Sequence, residues 1–383
     1  MFRKLLTLLS LLVVAAVFMA ACGAPTPAAP ATEEPAAEEP AAEEPTEEVM
    51  EEPMEEPMEE PAQEEGGGIL ARVQERGTLI CGGRTDLAGF GSLDDDGNNV
   101  GFDIDLCRAV AAAVLGDANA IEIVPLTSAD RGPVLQTAEV DLLSRNVTWT
   151  SSRDVQWGDF TTVMFYDGQG FMVSDASGIT STDDFADGIS ACVTSGTTTE
   201  QNLADYFRQR DIEFEPVIFE EAAAVYGAFQ EGRCDVTTSD RSQLVSVRSG
   251  FDDPSAYTIL DDIISKEPLT PAVPHGDTAW FDTVKLVMWS LINAEELGVT
   301  SANVEEMKNS ENINVRRLLG VEGNYGYEEL GLGADALANA IAAVGNYGEI
   351  YDRNLGPDAA VTLPRGLNEL WTEGGLIYAP PVK

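Results

Sequence analysis

The sequence predicts an α/β protein made of two lobes. From residue 69 onward, short apolar strand patterns alternate with helical ones, an order typical of parallel sheets with helices on both faces. This alternation occurs twice, and a segment at 264–273 would return the chain from the second series to the first. Residues 69–383 number 315, more than most single cores hold, so we expect two lobes joined by a double-crossover hinge.

The first series accounts for one lobe. A short helix is predicted near 70–77, followed by a strand at Thr78–Gly82. Residues 101–116 predict a helix, because apolar residues recur on one face at four-residue spacing. The pattern then predicts strands at 120–127 and 140–146, a helix at 130–139, and a strand at 171–174 that leaves the lobe.

The second series has the same alternation. It predicts a strand at Ser190–Thr194, a helix at Thr198–Arg210, a strand at Glu213–Phe219, a helix at Glu221–Glu231 and a strand at Cys234–Thr238. From about His275 the pattern is mostly helical. We therefore assign 69–172 and 272–383 to lobe 1 and 173–271 to lobe 2. Such an arrangement places a ligand cleft at the strand ends, beside the hinge.

Residues 1–21 have the pattern of an export signal. Arg3 and Lys4 precede an apolar run at 5–18, which is shorter than the ~20 residues that cross a bilayer. The Met-Ala-Ala sequence before Cys22 resembles a bacterial lipobox, in which the cysteine is lipidated; an ordinary cleaved signal is the alternative. We expect an exported lipoprotein, attached by this anchor to the outer face of the cytoplasmic membrane, at the cell surface or in the periplasm.

The segment 22–68 is predicted to be a disordered tether. It repeats Glu-Glu-Pro units, whose prolines oppose helix and sheet and whose charges repel. The chain has a net charge of −44; removing +2 from Arg3 and Lys4 and −16 from the sixteen glutamates of this segment leaves −30 for the rest. A surface of that charge disfavours nucleic acid and anionic bilayers as partners.

The five cysteines fit the same interpretation. If Cys22 is lipidated, four remain, which suggests two disulfides with three possible pairings in an exported chain. We favour Cys81–Cys107 and Cys192–Cys234, because each pair then lies within one lobe and leaves the cleft able to open. There is no CxxC motif and a single histidine, so neither a metal nor a cofactor is predicted.

Several motifs resemble one protein family. The helix GFDIDLCRAVAAAV resembles the signature helix of the bacterial extracellular solute-binding proteins of family 3, the polar amino-acid family. The resemblance continues through VDLLSRNVTWTSSRD, CVTSGTTTEQNLADYF, GRCDVTTSD and VGNYGEIYDRNLG, and is greatest to the general L-amino-acid-binding branch. It implies a type II periplasmic-binding-protein-like fold, a free polar or acidic L-amino acid as ligand, and ABC-transporter permease subunits as partners.

The resemblance also implies which residues bind the ligand carboxylate. Arg153, in the motif TWTSSRD, would clamp the α-carboxylate with its guanidinium. In SGTTTEQNL, Gly196, Thr197 and Thr198 begin a helix whose free N–H groups would meet the same carboxylate from the second lobe. Thr197 with Glu200 also fits a capping box, so a purely structural role is the alternative.

The ligand ammonium requires acceptors. The family places its carboxylate partner at Asp240, which ends CDVTTSD; an ordinary N-cap for the helix that follows is the alternative. The Thr148 hydroxyl and the Asn146 carbonyl match family positions that complete the ammonium's surroundings. Arg84 lies in a loop that contacts ligand side chains in the family. It would either bind a side-chain carboxylate or pair with a nearby acid such as Asp86 and face solvent.

Two other functions share this fold. A dehydratase-type enzyme is one alternative, although nothing in the sequence resembles a nucleophile–base pair. An amino-acid-sensing receptor domain is the other. We expect a monomeric binding protein that is not an enzyme.

Overall fold

The structure, a computed structural model, describes residues 68–323 and 326–383. The helices in these ranges are α1 (Ile69–Arg76), α2 (Phe102–Leu115), α3 (Arg131–Gln136), α4 (Ser151–Gln156), α5 (Thr198–Gln209), α6 (Ala222–Gln230), α7 (Arg241–Ser249), α8 (Thr278–Glu296), α9 (Val304–Met307), α10 (Ile313–Leu318), α11 (Ala336–Val344) and α12 (Tyr347–Leu355). The strands are β1 (Leu79–Gly83), β2 (Asp86–Leu87), β3 (Gly91–Leu93), β4 (Asn99–Val100), β5 (Ile121–Pro125), β6 (Leu142–Leu143), β7 (Asp159–Phe160), β8 (Phe165–Asp167), β9 (Gln169–Ser174), β10 (Ile189–Thr194), β11 (Phe214–Phe219), β12 (Val236–Asp240), β13 (Tyr257–Ile259), β14 (Glu267–Leu269) and β15 (Ala272–Val273).

The first sheet has the strand order β5-β1-β6-β15-β7. Its first three strands are parallel, since β1 pairs in parallel with both β5 and β6. Helix α2 packs against β1 and buries nearly all of its residues, including Phe102, Leu106 and Val110. The helix predicted at 101–116 and the strand predicted at Thr78–Gly82 are confirmed. We call the elements around this sheet the first lobe.

The second sheet has the order β11-β10-β12-β9-β13. β10 pairs in parallel with β11 and β12, and β9 pairs antiparallel with β12 and β13. Buried aromatic side chains fill the side covered by α5, where Phe171, Phe185 and Phe207 are in contact. The elements around this sheet form the second lobe, and the two-lobe α/β fold is confirmed.

The sheets are not wholly parallel as predicted. In each sheet the parallel strands end at the same edge. One strand of each sheet, β9 or β15, starts at that edge and runs in the opposite direction. For example, Asp240, the last residue of β12, pairs with Gln169, the first residue of β9. Both strands come from the two-stranded ribbon β8–β14, through which the chain crosses between the sheets twice. The whole of Gln169–Ser174 belongs to the second sheet, while the predicted lobe boundaries stay predictions.

The C-terminal helices cover the first lobe. α11 packs along α2, where both helices are rich in alanine, and α12 packs against α8 and α2. Phe102, Phe165, Tyr347 and Tyr351 form a buried aromatic cluster, with the Phe102 and Tyr347 ring centroids 5.9 Å apart. The Tyr347 hydroxyl donates to the Met164 carbonyl at 2.9 Å. This contact ties the C-terminal region to the segment that leads into the crossing ribbon.

Both predicted disulfides are present. Cys81 in β1 is bonded to Cys107 in α2, and Cys192 in β10 is bonded to Cys234, two residues before β12. The first bond therefore links β1 to a helix of its own lobe, and the second links β10 to the loop before β12. Because no bond joins the lobes, neither restrains the opening of the cleft.

None of the helices in the described ranges is long and apolar enough to span a membrane. The predicted signal peptide 1–21, the lipidated Cys22 and all but the last residue of the tether 22–68 lie outside the described residues. They stay predictions.

Candidate ligand-binding cleft

A polar cavity lies between the two lobes, at the edge where their parallel strands end. It is lined by Arg84, Ser128, Arg131, Arg145, Asn146, Thr148, Arg153, Thr194, Thr197, Thr198, Thr199, Ala222, Ser239, Asp240 and Gln243. All the residues predicted to bind the ligand are in this set except Gly196. The Gly196 carbonyl nevertheless lies beside the cavity, 3.5 Å from Nη2 of Arg131.

Arg153 is held at the start of α4. Oγ1 of Thr150 caps this helix by accepting from the backbone N–H of Arg153 at 3.2 Å. Nη1 of Arg153 donates to the Thr148 carbonyl at 3.0 Å, and the guanidinium carbon lies 4.6 Å from the centroid of the Trp157 ring. Within the described residues its other guanidinium N–H groups have no acceptor. The guanidinium of Arg153 is therefore held in a fixed orientation, and part of it is free to donate to a ligand anion.

Helix α5 presents its N-terminus to the cavity, with one difference from the predicted capping box. Oγ1 of Thr197 accepts from the Glu200 N–H at 3.1 Å as expected, but the Glu200 carboxylate accepts from the Gly196 N–H at 2.8 Å rather than from Thr197. The Gly196 N–H is thus occupied. The backbone N–H groups of Thr198 and Thr199 have no acceptor within the described part of the chain, so they can bind an anion.

The side chain of Thr198 is already engaged. Its hydroxyl donates to Oε2 of Glu267 at 2.9 Å and lies 3.4 Å from Oγ1 of Thr148. Glu267 is almost fully buried in the crossing ribbon, and it also accepts from Nδ2 of Asn202 at 2.8 Å. α5 is therefore tied to the ribbon, and a ligand carboxylate would meet the N–H of Thr198 rather than its hydroxyl.

Asp240 is a buried carboxylate at the end of β12. It is 6% exposed, and although it precedes α7 its side chain forms no capping hydrogen bond, so the N-cap alternative is not observed. Its Oδ1 has no hydrogen-bond partner within the described residues. Burial, together with the charges of Asp167 and Glu267, raises the pKa of Asp240 well above its usual value, against the opposing effect of Arg131 and Arg153. A ligand cation at this oxygen would offset that cost.

Arg84 combines parts of both predicted alternatives. Its Nε donates to Oδ1 of Asp86 at 2.7 Å, as the pairing alternative requires, but the side chain is only 4% exposed and does not face solvent. Its Nη1 donates to the side-chain oxygens of Asn146, at 3.2 Å, and Gln243, at 3.1 Å. Most of its donors are therefore used by the protein.

Asn146 is held in an unusual conformation. Its φ is 37°, in the left-handed region that asparagine tolerates better than most residues, and its N–H donates to Oδ2 of Asp103 at 2.8 Å. Burial raises the pKa of Asp103 to about 6, although this hydrogen bond opposes the shift. The buried carboxyl fixes the turn after β6 that carries Asn146 and Thr148 into the cavity.

The structure adds site residues that the sequence analysis did not select. Arg131 starts α3, Arg145 follows β6, and Gln243 lies in the first turn of α7. Thr199, also unselected, is buried with its Oγ1 2.8 Å from that of Thr197. For the arginines a signal existed, since Arg145 lies near the end of a predicted strand and Arg131 near the start of a predicted helix.

Hydrogen bonds join the two lobes across the cavity. Gln243 of the second lobe receives hydrogen bonds from Arg84 and, at 3.3 Å, from Nδ2 of Asn146. Farther out, Oγ of Ser246 donates to the Ala88 carbonyl at 2.8 Å. The structure is therefore the closed arrangement. Within the described ranges, no group of three or more His, Cys, Asp or Glu residues is placed to hold a metal ion.

Comparison with known proteins gives the family. Residues 79–303 match the bacterial extracellular solute-binding proteins, family 3. The chain belongs to this family. The resemblance seen in the sequence is confirmed, and residues 304–383, which contain α9 to α12, lie beyond the matched region.

Family relatives match nearly all of the folded part. The chain is 48% identical over 316 residues to the general L-amino acid-binding periplasmic protein AapJ of Rhizobium johnstonii, which covers 82% of this chain and 92% of that protein. It is 47% identical over 313 residues to the glutamate/glutamine/aspartate/asparagine-binding protein BztA of Rhodobacter capsulatus, covering 81% and 92%.

Solved structures of similar proteins agree with the fold. A periplasmic binding protein of an ABC transporter from Brucella ovis, with glutathione bound, is 46% identical to this chain, with a TM-score of 0.80. The match covers 83% of this chain and 100% of that one. An ancestral arginine-binding protein bound to arginine is 25% identical, with a TM-score of 0.51, and the match covers 60% and 98%.

Proposed function

We propose that this family member is the substrate-binding component of an ABC transporter for amino acids. It binds a free L-amino acid between its lobes and delivers it to the permease subunits. The observation that carries the proposal is one cavity that holds two groups: Asp240, a buried carboxylate whose Oδ1 has no hydrogen-bond partner among the described residues, and Arg153, a guanidinium with donors that those residues leave free. These two groups match the ammonium and the carboxylate that every free amino acid presents.

The site residues divide by charge. The α-carboxylate is bound from the first lobe by Arg153 and from the second lobe by the N–H groups of Thr198 and Thr199. Asp240 binds the ammonium, with acceptors from Asn146 and Thr148 of the first lobe. Because each ligand charge then contacts both lobes, binding favours closure. The names of the two amino-acid-binding relatives support the same ligand class.

Such contacts supply enough free energy for physiological capture. A hydrogen bond to a charged group contributes about 1.5–3 kcal/mol. Several of them in a cavity that excludes water can outweigh the costs of hinge closure and desolvation by about 8 kcal/mol, which corresponds to roughly micromolar binding.

The N-terminal segment supports a proposal about location. Export by the signal at 1–21, lipidation at Cys22 and the acidic tether would hold a monomeric binding domain near the permease, on the outer face of the cytoplasmic membrane. The proposed lobes are 69–172 with 272–383, and 173–271. Radiolabelled palmitate incorporated in cells into the parent but not into a Cys22→Ala variant supports the anchor, and equal labelling contradicts it.

Calorimetric titration of the ligand-stripped protein against the twenty amino acids tests the ligand class. We also include glutathione, because a relative binds it and because a second groove, lined in part by Trp149 and Lys266, adjoins the cavity at Thr148 and Thr198. Saturable binding of at least one amino acid without its chemical conversion supports the proposal. Turnover of a ligand would favour the dehydratase alternative, and no binding to any amino acid would overturn the proposal.

A further inference from the structure

The C-terminal region of the chain binds one edge of the crossing ribbon. The side-chain amide of Asn368, which is 4% exposed, contacts both backbone groups of Tyr166 in β8: Oδ1 accepts from the Tyr166 N–H at 2.6 Å, and Nδ2 donates to the Tyr166 carbonyl at 3.1 Å. These groups point away from β14, where Tyr166 lies opposite Pro268, a residue without an N–H. Asn368 therefore occupies the outer edge of β8 as a neighbouring strand would.

Two more residues of this region hold the same strand. The Tyr347 hydroxyl donates at 2.9 Å to the carbonyl of Met164, the residue before β8. The Phe165 ring stacks on that of Tyr351, with their centroids 6.1 Å apart. These contacts, like the amide described above, come from 304–383, the part of the chain beyond the region that matches the family.

Asn368 is itself fixed to the first lobe. Its carbonyl accepts from Nε of Arg365 at 3.1 Å and from Nη2 at 3.0 Å, and its N–H donates to the Arg365 carbonyl at 2.8 Å. Arg365 forms an ion pair with Glu295 of α8, in which both side chains are mostly buried. The amide therefore connects β8 to α8 of the first lobe.

The next residues of the same strand contact the second lobe instead. Oδ2 of Asp167 accepts from the Ser242 N–H at 3.2 Å, and the Gly168 carbonyl accepts from the Arg241 N–H at 2.9 Å, both in the first turn of α7. The contacts of the chain therefore change from one lobe to the other between Tyr166 and Asp167. Two rigid lobes can then rotate about the torsion angles at this step.

The second crossing strand changes lobes at the same level. The Pro268 carbonyl, opposite Tyr166, accepts from the Trp149 N–H of the first lobe at 2.8 Å. Glu267, opposite Asp167, binds the start of α5 in the second lobe. The bending point of the ribbon thus lies between two neighbouring cross-strand pairs.

We propose that residues 304–383 brace the hinge, with Asn368 and Tyr347 as positioning residues that hold β8, up to Tyr166, against the first lobe. This inference rests on the proposed function. Neither positioning residue is among those that line the cavity. Without the brace, the strand gains conformational freedom in the open form, and closure must remove it. Affinity should then fall by a similar factor for every ligand, while the preference among ligands stays unchanged.

The first measurement is ligand affinity, by calorimetric titration of the ligand-stripped parent, of Asn368→Ala and of Tyr347→Phe with the two amino acids that the parent binds best. Asn368→Ala is expected to weaken binding of both by about fivefold or more, as when closure must order about one more residue. Tyr347→Phe keeps the ring and loses one hydrogen bond, so it should weaken both by about twofold or more.

The second measurement is the distance between the lobes in the ligand-free protein. Nitroxide labels are attached to Glu122→Cys of the first lobe and Glu215→Cys of the second, both exposed, in a Cys22→Ala background. By pulsed electron paramagnetic resonance, Asn368→Ala should give a broader distance distribution than the parent. Saturating ligand should make the two distributions equal.

Matched controls separate the brace from general stability. Asn354→Ala removes an amide of α12 that donates to Oδ2 of Asp105 in α2 at 2.7 Å. Tyr351→Phe removes a hydroxyl that bonds to the carbonyls of Leu363 and Pro364. Because these hydrogen bonds lie within the first lobe, both variants should lower Tm and leave ligand affinity unchanged.

Parent-like affinity in both Asn368→Ala and Tyr347→Phe would overturn the inference while leaving the proposed function intact. So would weakening for one amino acid only, equal weakening in the controls, or a ligand-free distance distribution as narrow as that of the parent. A parent protein that binds no amino acid would overturn both the inference and the proposed function.

Discussion

Replacing Asp240 with asparagine should have opposite effects on the ligand-free protein and on its complex. The substitution keeps the shape of the side chain and removes its charge. In the ligand-free protein that charge is buried, and Oδ1 has no partner in the described part of the chain. In the proposed complex, the same charge pairs with the ligand ammonium. Asp240→Asn should therefore stabilise the empty protein and weaken binding.

The size of both effects follows from the burial of this group. A buried charge without a partner has a higher desolvation cost than a neutral amide at the same place, and we expect the empty variant to gain about 1–3 kcal/mol from its removal. The entropy of unfolding is about 2.1 cal/mol/K per residue, and roughly 300 residues are folded, so this gain in stability raises Tm by about 1.5–5 °C. Loss of one member of a buried charge pair costs about 2–5 kcal/mol, which weakens ligand binding by about 30-fold to several thousandfold.

Two measurements with a matched control check this prediction. Thermal unfolding of ligand-stripped protein reports stability, and calorimetric titration reports affinity for the amino acid that the parent binds best. Asp211→Asn is the control: this aspartate is exposed on the second lobe and has a φ of 54°, which asparagine accepts, so the variant should match the parent in both. A destabilised Asp240→Asn, or one that binds as tightly as the parent, would refute the reasoning.

Three further outcomes are expected. Arg153→Ala leaves the ligand carboxylate without its guanidinium and should weaken binding by about 2–5 kcal/mol in titration; parent-like affinity would contradict the assigned role. Replacing both Cys192 and Cys234 with serine frees a loop of 42 residues in the unfolded chain and should lower the free energy of unfolding by about 4 kcal/mol in a denaturant titration, while a loss below about 1 kcal/mol would show that the bond adds little. Burial raises the pKa values of Asp103 and Asp167 to about 6, above 3.8 in the unfolded chain, so the folded protein binds more protons between these values. The free energy of unfolding of the parent should therefore increase as pH falls from 7 to 5, and replacing both aspartates with asparagine should reduce this increase; identical pH profiles would exclude these carboxyls as its source.

The fold followed from local patterns. Strand and helix periodicity predicted the two α/β lobes with a cleft at the strand ends, and the resemblance to the family implied that Arg153, Thr198 and Asp240 line that cleft. The antiparallel strands β9 and β15 were not predicted, because strand direction depends on where the chain re-enters each sheet. Their composition is that of any buried strand, so it carries no information on direction.

The charge balance of the cleft could not be predicted from the sequence. Which donors of an arginine are used depends in part on partners far along the chain: Arg84 donates to Gln243, 159 positions away, as well as to nearby Asp86. Arg131 forms no ion pair with a carboxylate in the described ranges. The Glu200 side chain shows the same limit at short range, since it bonds to the Gly196 N–H rather than to that of Thr197. A motif gives the spacing of such groups, but only the packed structure shows which donors and acceptors remain free.

The most direct test of the account is a crystal structure of the protein with the amino acid that it binds best. The account predicts the ligand in the cavity, with its α-carboxylate bound by Arg153 and the N–H groups at the start of α5, and its ammonium at Oδ1 of Asp240. A ligand bound elsewhere, or one whose ammonium lies away from Asp240, would contradict it.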